Sequence, residues 1–139
     1  MKLALDSSVV IAALDASDPD HSACRRLMLS ARLFLYGHAL SESFSTLTGG
    51  SLGLRLSAAT TASILRDNVV PRVAVVHLTE GELLDAYEDS TRRGIRGGAI
   101  YDYLHLVAAR KAGAAKLYTL NLGDFRAFHR PGDPEIACP

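Results

Sequence analysis

Four carboxylates stand where the apolar pattern of the chain changes: Asp6, Glu42, Asp102 and Asp124. Asp6 closes the short apolar run Leu3-Ala4-Leu5, and Ser7-Ser8 then leads into a second run, Val9-Val10-Ile11. This pattern predicts a buried strand, a tight turn and a helix. It puts Asp6 at the carboxyl end of a parallel strand, where open α/β sheets place their ligands. A carboxylate buried there requires a cation, a donor or water. Glu42 falls in the helix after the second predicted strand, Asp102 near the start of a late helix, and Asp124 in the loop after the last clear parallel strand. In a parallel sheet these positions share one edge. Carboxylates so placed raise one another's pKa unless a cation intervenes. Oxygen donors without His or Cys suit a hard ion, Mg²⁺ or Mn²⁺. Such an ion can activate water for in-line attack on a phosphodiester. Each acid also has an ordinary alternative role: helix cap for Asp6, solvated helix residue for Glu42, helix-dipole partner for Asp102, and turn former beside Gly123 for Asp124.

Two histidines share helix faces with these acids, His38 four residues before Glu42 and His105 three after Asp102. That spacing admits a ligand or proton donor as well as a partly buried structural histidine. Arg92, Arg93 and Arg96 flank the late helix and are candidates for phosphate contact, with helix capping and solubility as the plain alternatives. The glycines at 94, 97 and 98 do not form GxGxxG and read as a flexible loop.

Strands and helices alternate along the chain. Predicted strands are Leu33–Tyr36, Val73–Val76 and Lys116–Leu120; the unbroken apolarity of Leu33–Tyr36 fits a strand covered on both faces. Helices are expected over about Val9–Leu14, Asp20–Ala31, Ala39–Leu47, Ala58–Val69, Thr79 to Arg93, and Ile100–Ala112. Their punctuation is Asp18 as N-cap before Pro19, Ser57 as N-cap, Pro71 as terminator, a Thr79/Glu82 capping box and Gly94 as stop. Leu52 to Leu56 reads as a link, Asn121–Phe125 as a loop, and Pro131–Pro139 as a tail with an edge strand at Ile136-Ala137. Alternation of this kind signals a parallel sheet with helices on both faces, in one domain over residues 1–139.

The 139 residues carry 15 basic and 15 acidic side chains, so the formal charge is zero and a generic nucleic-acid coat is excluded. Cys24 and Cys138 form neither a CxxC pair nor a disulfide framework. HExxH is absent. No apolar stretch reaches membrane-spanning length, and the N-terminus does not read as a signal peptide; the expectation is a soluble, cytoplasmic protein.

Leu5-Asp6-Ser7-Ser8-Val9-Val10-Ile11, His38-Ala39-Leu40-Ser41-Glu42, Gly97-Gly98-Ala99-Ile100-Tyr101-Asp102-Tyr103-Leu104-His105 with Ala108-Ala109, and Leu117-Tyr118-Thr119-Leu120-Asn121-Leu122-Gly123-Asp124-Phe125 follow one another in this order. Together they resemble PIN-domain ribonucleases of the VapC toxin type over nearly the whole chain. The resemblance implies a single PIN-like α/β/α sandwich around a mainly parallel sheet. It implies an acidic Mg²⁺ or Mn²⁺ site cutting single-stranded or looped RNA. Asp6, Glu42 and Asp102 match its core carboxylates. Many relatives carry an acid where this chain has Asn121, so Asp124 takes the fourth acidic role. Ser8 and Thr119 resemble hydroxyl residues that orient the carboxylates. The implied partners are a small VapB-like antitoxin and a second copy in a homodimer, and the rival within the family is a catalytically weak module that binds RNA or protein without cutting. A haloacid-dehalogenase-type phosphotransferase needs a second acid where Ser8 stands. A receiver domain needs a Lys at the end of a late strand, and Lys116 begins its strand instead.

Overall fold

The structure, a computed structural model, describes residues 1–53 and 55–139. The expected link over 52–56 contains Leu54, which lies outside the described residues. Among the described residues five strands form one all-parallel sheet: β1 (Leu3–Leu5), β2 (Leu33–Tyr36), β3 (Val73–Val76), β4 (Lys116–Tyr118) and β5 (Glu135–Ala137). Their order is β3-β2-β1-β4-β5. The chain winds outward from β1 to β3, crosses back, and winds outward again from β4. The order therefore reverses between β1 and β4, and a doubly wound sheet opens a crevice at such a reversal.

Side chains alternate across the sheet. Leu5, Leu33, Leu35 and Val73 point to one face, under α1 (Ser7–Leu14), α2 (His21–Ser30), α3 (His38–Gly49) and the helix that begins as α4 (Ala58–Ile64). Ala4, Leu117 and Ile136 point to the other, under α5 (Glu80–Arg93), α6 (Ala99–Lys111) and α7 (Leu122–Phe128). The α/β/α sandwich expected from the alternation is thus present, and its sheet is parallel throughout.

The caps explain most helix ends. Thr79 and Glu82 form the capping box of α5, and Gly94 ends it in the left-handed conformation at φ 68°. Ser57 caps α4 through the Thr60 amide. Three local expectations are corrected. Asp18 does not cap α2; its carboxylate accepts the Asp20 amide at 2.8 Å and forms a preceding turn, so the helix starts two residues later than expected. The helix expected over 58–69 is α-helical only to Ile64 and widens into a π-turn over Leu65–Val69, where the Val70 amide reaches back to the Leu65 carbonyl. Pro71 lies directly beyond and cannot continue regular helix bonding. Residues 122–128, in part expected as a loop, are α7, held down by buried Phe125 and Phe128.

Arg93 ties α5 to the segment after α7. Its Nη1 donates to Asp133 Oδ2 at 2.5 Å and to the Phe128 carbonyl, and its Nε donates to Asp89 Oδ2 at 2.8 Å. Tyr103 and Arg110 of α6 join the same network, Tyr103 donating to Asp89 at 2.6 Å and Arg110 to Asp133 at 3.1 Å. The Asp133 side chain is only 4% exposed. Its carboxyl is opposed by burial, yet Arg93, the Arg130 amide and Arg110 hold it below the ordinary carboxylate range. Asp133→Ala leaves the Arg93 guanidinium short of its main partner, and an unfolding free energy lower by about 3 kcal/mol is expected in urea titration at neutral pH. Because the folded pKa is depressed, the wild-type advantage is present above the ordinary carboxylate pKa and is lost as pH falls through it, so the two proteins should converge in acid.

Candidate active site at the carboxyl edge of the sheet

Asp6 is both the last residue before α1 and its N-cap, in extended backbone, so the capping role and a site role fall on one carboxylate. It is 2% exposed. Ser8 Oγ donates to its Oδ1 at 2.5 Å and Thr119 Oγ1 to its Oδ2 at 2.7 Å, with the Val9 amide at 3.3 Å. Each hydroxyl in turn accepts a backbone amide of the β4–α7 turn, Ser8 from Leu120 at 3.0 Å and Thr119 from Asn121 at 2.9 Å. Burial raises the Asp6 pKa, opposed by the charge of His105 and by these donors.

Glu42 lies in α3, which begins after Gly37. A Cβ at Gly37 would sit 3.0 Å from His77 Nδ1, so the β2–α3 turn has no room for a larger residue without movement. Glu42 Oε1 accepts from His105 Nε2 at 2.7 Å, and Oε2 from Ser7 Oγ at 3.3 Å. His105 is 2% exposed, and its Nδ1 has no partner among the described residues, so the bonding proton belongs on Nε2. Burial disfavours the Glu42 charge, but the hydrogen bond and charge of His105, with His38 and Ser7, outweigh it and hold the carboxyl below its usual range.

Asp102 faces a different balance. Burial, then the negative charges of Asp6, Asp124 and Glu42, push its carboxyl up to about 6 against the pull of His105. That repulsion places Asp6, Asp124 and Glu42 each within electrostatic range of Asp102. Asp102 and Asp124 line a cleft of about 370 Å³ together with Arg93, Gly94 and Gly98. Asp124 stands in the first turn of α7 and Asn121 at its N-cap, where the Asn side chain makes no capping bond. Arg93 is engaged internally by Asp89 and Asp133, whereas Arg96 is exposed and the Arg92 side chain is 83% exposed, 3.8 Å from Asp89. An apolar hollow between Leu14, Leu47 and Ile64 lies at the opposite end of α1, away from these acids.

The four carboxylates offer an all-oxygen donor set, the kind that suits a hard divalent ion. Among the described residues no three His, Cys, Asp or Glu side chains are gathered tightly enough to hold an ion alone. Mg²⁺ characteristically takes only one or two carboxylates and completes its shell with water, so the donor chemistry fits. Spacing set His38 beside Glu42 and His105 beside Asp102, so the bond from His105 to Glu42 was not foreseen; Tyr103, Asp89 and Asp133 carried no sequence signal for their network.

The PIN-domain family pattern matches residues 3–130. The chain belongs to the PIN-domain family. Its fold is similar to that of Mycobacterium tuberculosis VapC20, a sarcin–ricin loop cleaving toxin, at 24% identity and TM-score 0.71 over 96% of this chain and 100% of that one. It is also similar to a chain of FitAB bound to an IR36 DNA fragment, at 16% identity and TM-score 0.66 over 99% and 94% of the two chains. FitAcB from Neisseria gonorrhoeae matches at 15% identity and TM-score 0.63 over 90% and 91%. No curated protein sequence matches the chain. No helix among the described residues is long and apolar enough to cross a membrane.

The raised pKa of Asp102 in this PIN domain has a sign that can be checked without metal. The folded state holds the Asp102 proton more tightly than the unfolded chain, so the associated stability is complete below about pH 4 and is lost as pH rises through about 6. Asp102→Asn is neutral throughout. In chelator its melting temperature should gain on wild type between about pH 4 and pH 7.5 by several degrees. A pH-independent offset would mean that Asp102 does not face the other acids.

Proposed function

We propose that the chain is a Mg²⁺- or Mn²⁺-dependent endoribonuclease that cuts single-stranded or looped RNA and acts as the toxin of a toxin–antitoxin pair. The observation that carries this reading is the convergence on one sheet edge of Asp6, Glu42, Asp102 and Asp124, with Asp102 pushed up to about 6 by burial and by the other three. Family membership supports nuclease chemistry, and the fold shared with VapC20 supports RNA as the substrate. The likeness to FitAB and FitAcB supports a small VapB-like antitoxin as partner, and a homodimer is proposed as the assembly on the family resemblance alone.

Of Asp6, Glu42, Asp102 and Asp124, one or two would bind the ion directly and the others would reach it through its waters. When bound, it supplies Lewis-acid stabilisation of the phosphodiester charge and polarises the attacking water. The chain's own residues then do the positioning. Ser8 and Thr119 lock both oxygens of Asp6, so its carboxylate cannot rotate away. His105 holds Glu42 ionised and in one orientation. Asp102, pushed up to about 6, is ionised at neutral pH only against the repulsion of its neighbours, and a bound cation would relieve that repulsion. Exposed Arg92 and Arg96 meet the RNA backbone at the end of the cleft.

Purified chain incubated with total cellular RNA should yield discrete fragments with Mn²⁺ or Mg²⁺ and none with chelator. Asp6→Asn should lower the rate by at least about 100-fold, as expected for loss of a group that organises transition-state charge. No cleavage by folded, partner-free wild type, together with metal-independent RNA or protein binding, would favour the non-cutting module, and Asn121→Asp would then test whether the missing fourth acid is the reason.

A further inference from the structure

Two exposed rings sit one step from the acids. Tyr101 directly precedes Asp102 at the start of α6 and is 53% exposed. His38 opens α3 one turn before Glu42, on the same helix face, and is also exposed. Their rings stack at a centroid distance of 5.7 Å and an interplanar angle of 17°. Tyr36 continues the strip at 6.1 Å from His38 and meets His105 edge-on at 5.5 Å. Tyr36 is partly buried and packs against the core beneath this strip, whereas Tyr101 stays in solvent.

Exposed rings have no packing reason to collect beside a buried carboxylate cluster. Stacked, solvent-facing aromatics next to a phosphate-handling site are what unpaired bases require, because every base presents a π-face and an unpaired base can be splayed onto a ring. We propose that the Tyr101–His38 pair is a base-stacking platform that seats one unpaired nucleobase of the substrate beside the scissile phosphate, with Tyr36 extending the track. This rests on the nuclease reading and adds to it the groups that choose where the strand lies. Being a stack, the platform tolerates any base and selects for an unpaired one. The reading also gives α3 and α6 a common design: each carries a ring that positions a base and an acid that faces the phosphate.

The test uses binding as well as turnover. In an Asp6→Asn background with chelator, a single-stranded RNA oligonucleotide carrying 2-aminopurine should show fluorescence quenching on binding. Tyr101→Ala should weaken binding about tenfold, the size expected for one lost base–aromatic stack, and Tyr101→Trp should restore it. Leu29→Ala, an exposed apolar residue on α2, should bind as the parent does. With catalytically intact protein, Tyr101→Ala should raise KM with little change in kcat. An abasic nucleotide walked along the oligonucleotide should cost nothing further in Tyr101→Ala at one position and be additive elsewhere. Additivity at every position, or unchanged quenching in Tyr101→Ala while wild type still cleaves with metal, overturns the platform and leaves the nuclease intact. Loss of association with a protein partner in Tyr101→Ala, at unchanged RNA affinity, overturns it in favour of a protein-docking face. Absence of both RNA binding and metal-dependent cleavage overturns the platform and the nuclease reading together.

Discussion

One buried carboxylate sets the terms for this structure. Asp6 must end β1 at the point where the strand order reverses, inside the protein, and a lone carboxylate there is costly. The cost is met by two hydroxyls and an amide, and each hydroxyl is itself anchored by the turn after β4. The same bonds that satisfy the charge therefore join the β1–α1 turn to the β4–α7 turn. Residues 6 and 119, which are 113 positions apart, become one rigid unit. Everything else at this edge is placed relative to that unit.

Neighbouring acids in this unit are tuned in opposite directions by their partners. Glu42 and Asp102 are both partly buried among the same charges. Glu42 has a neutralising hydrogen bond from His105 and stays easily ionised, whereas Asp102 has none and is pushed up. The largest part of the difference is one imidazole nitrogen at 2.7 Å, with His38 and Ser7 adding to it. Under the proposed function, an arriving cation would relieve the repulsion on Asp102. The basic residues are divided in the same way. Arg93 is consumed by Asp89, Asp133 and the Phe128 carbonyl to hold the end of α7 against α5, and Asp124 lines the same cleft as Asp102, while Arg92 and Arg96 remain outside.

A fold shared at 15–24% identity is intelligible on these terms. What has to persist is short apolar strands covered on both faces and polar groups at one edge, and many sequences meet that pattern. Identity of the packing residues is free to drift so long as each face of the sheet stays filled.

The sequence by itself determined the alternation of strands and helices, the parallel sheet, and the place of Asp6 at the end of β1, because these follow from local periodicity and capping chemistry. Leu33–Tyr36 and Val73–Val76 were legible to the residue from continuous apolarity, and α5 from its capping box and Gly94. Other features were not legible because their causes are non-local. Helix α7 is seven residues with a glycine inside, too short to show a period, and exists because Phe125 and Phe128 are buried by α6 and β5. The π-turn before Pro71 depends on keeping Leu65 and Val69 in the core. The bond from His105 to Glu42 spans 63 residues, and that from Arg93 to Asp133 spans 40. Which arginine is free, which acid is ionised and which rings face each other are decided only when the two halves of the sheet meet at Asp6, since charge and stacking depend on distance in space and the sequence records only distance along the chain.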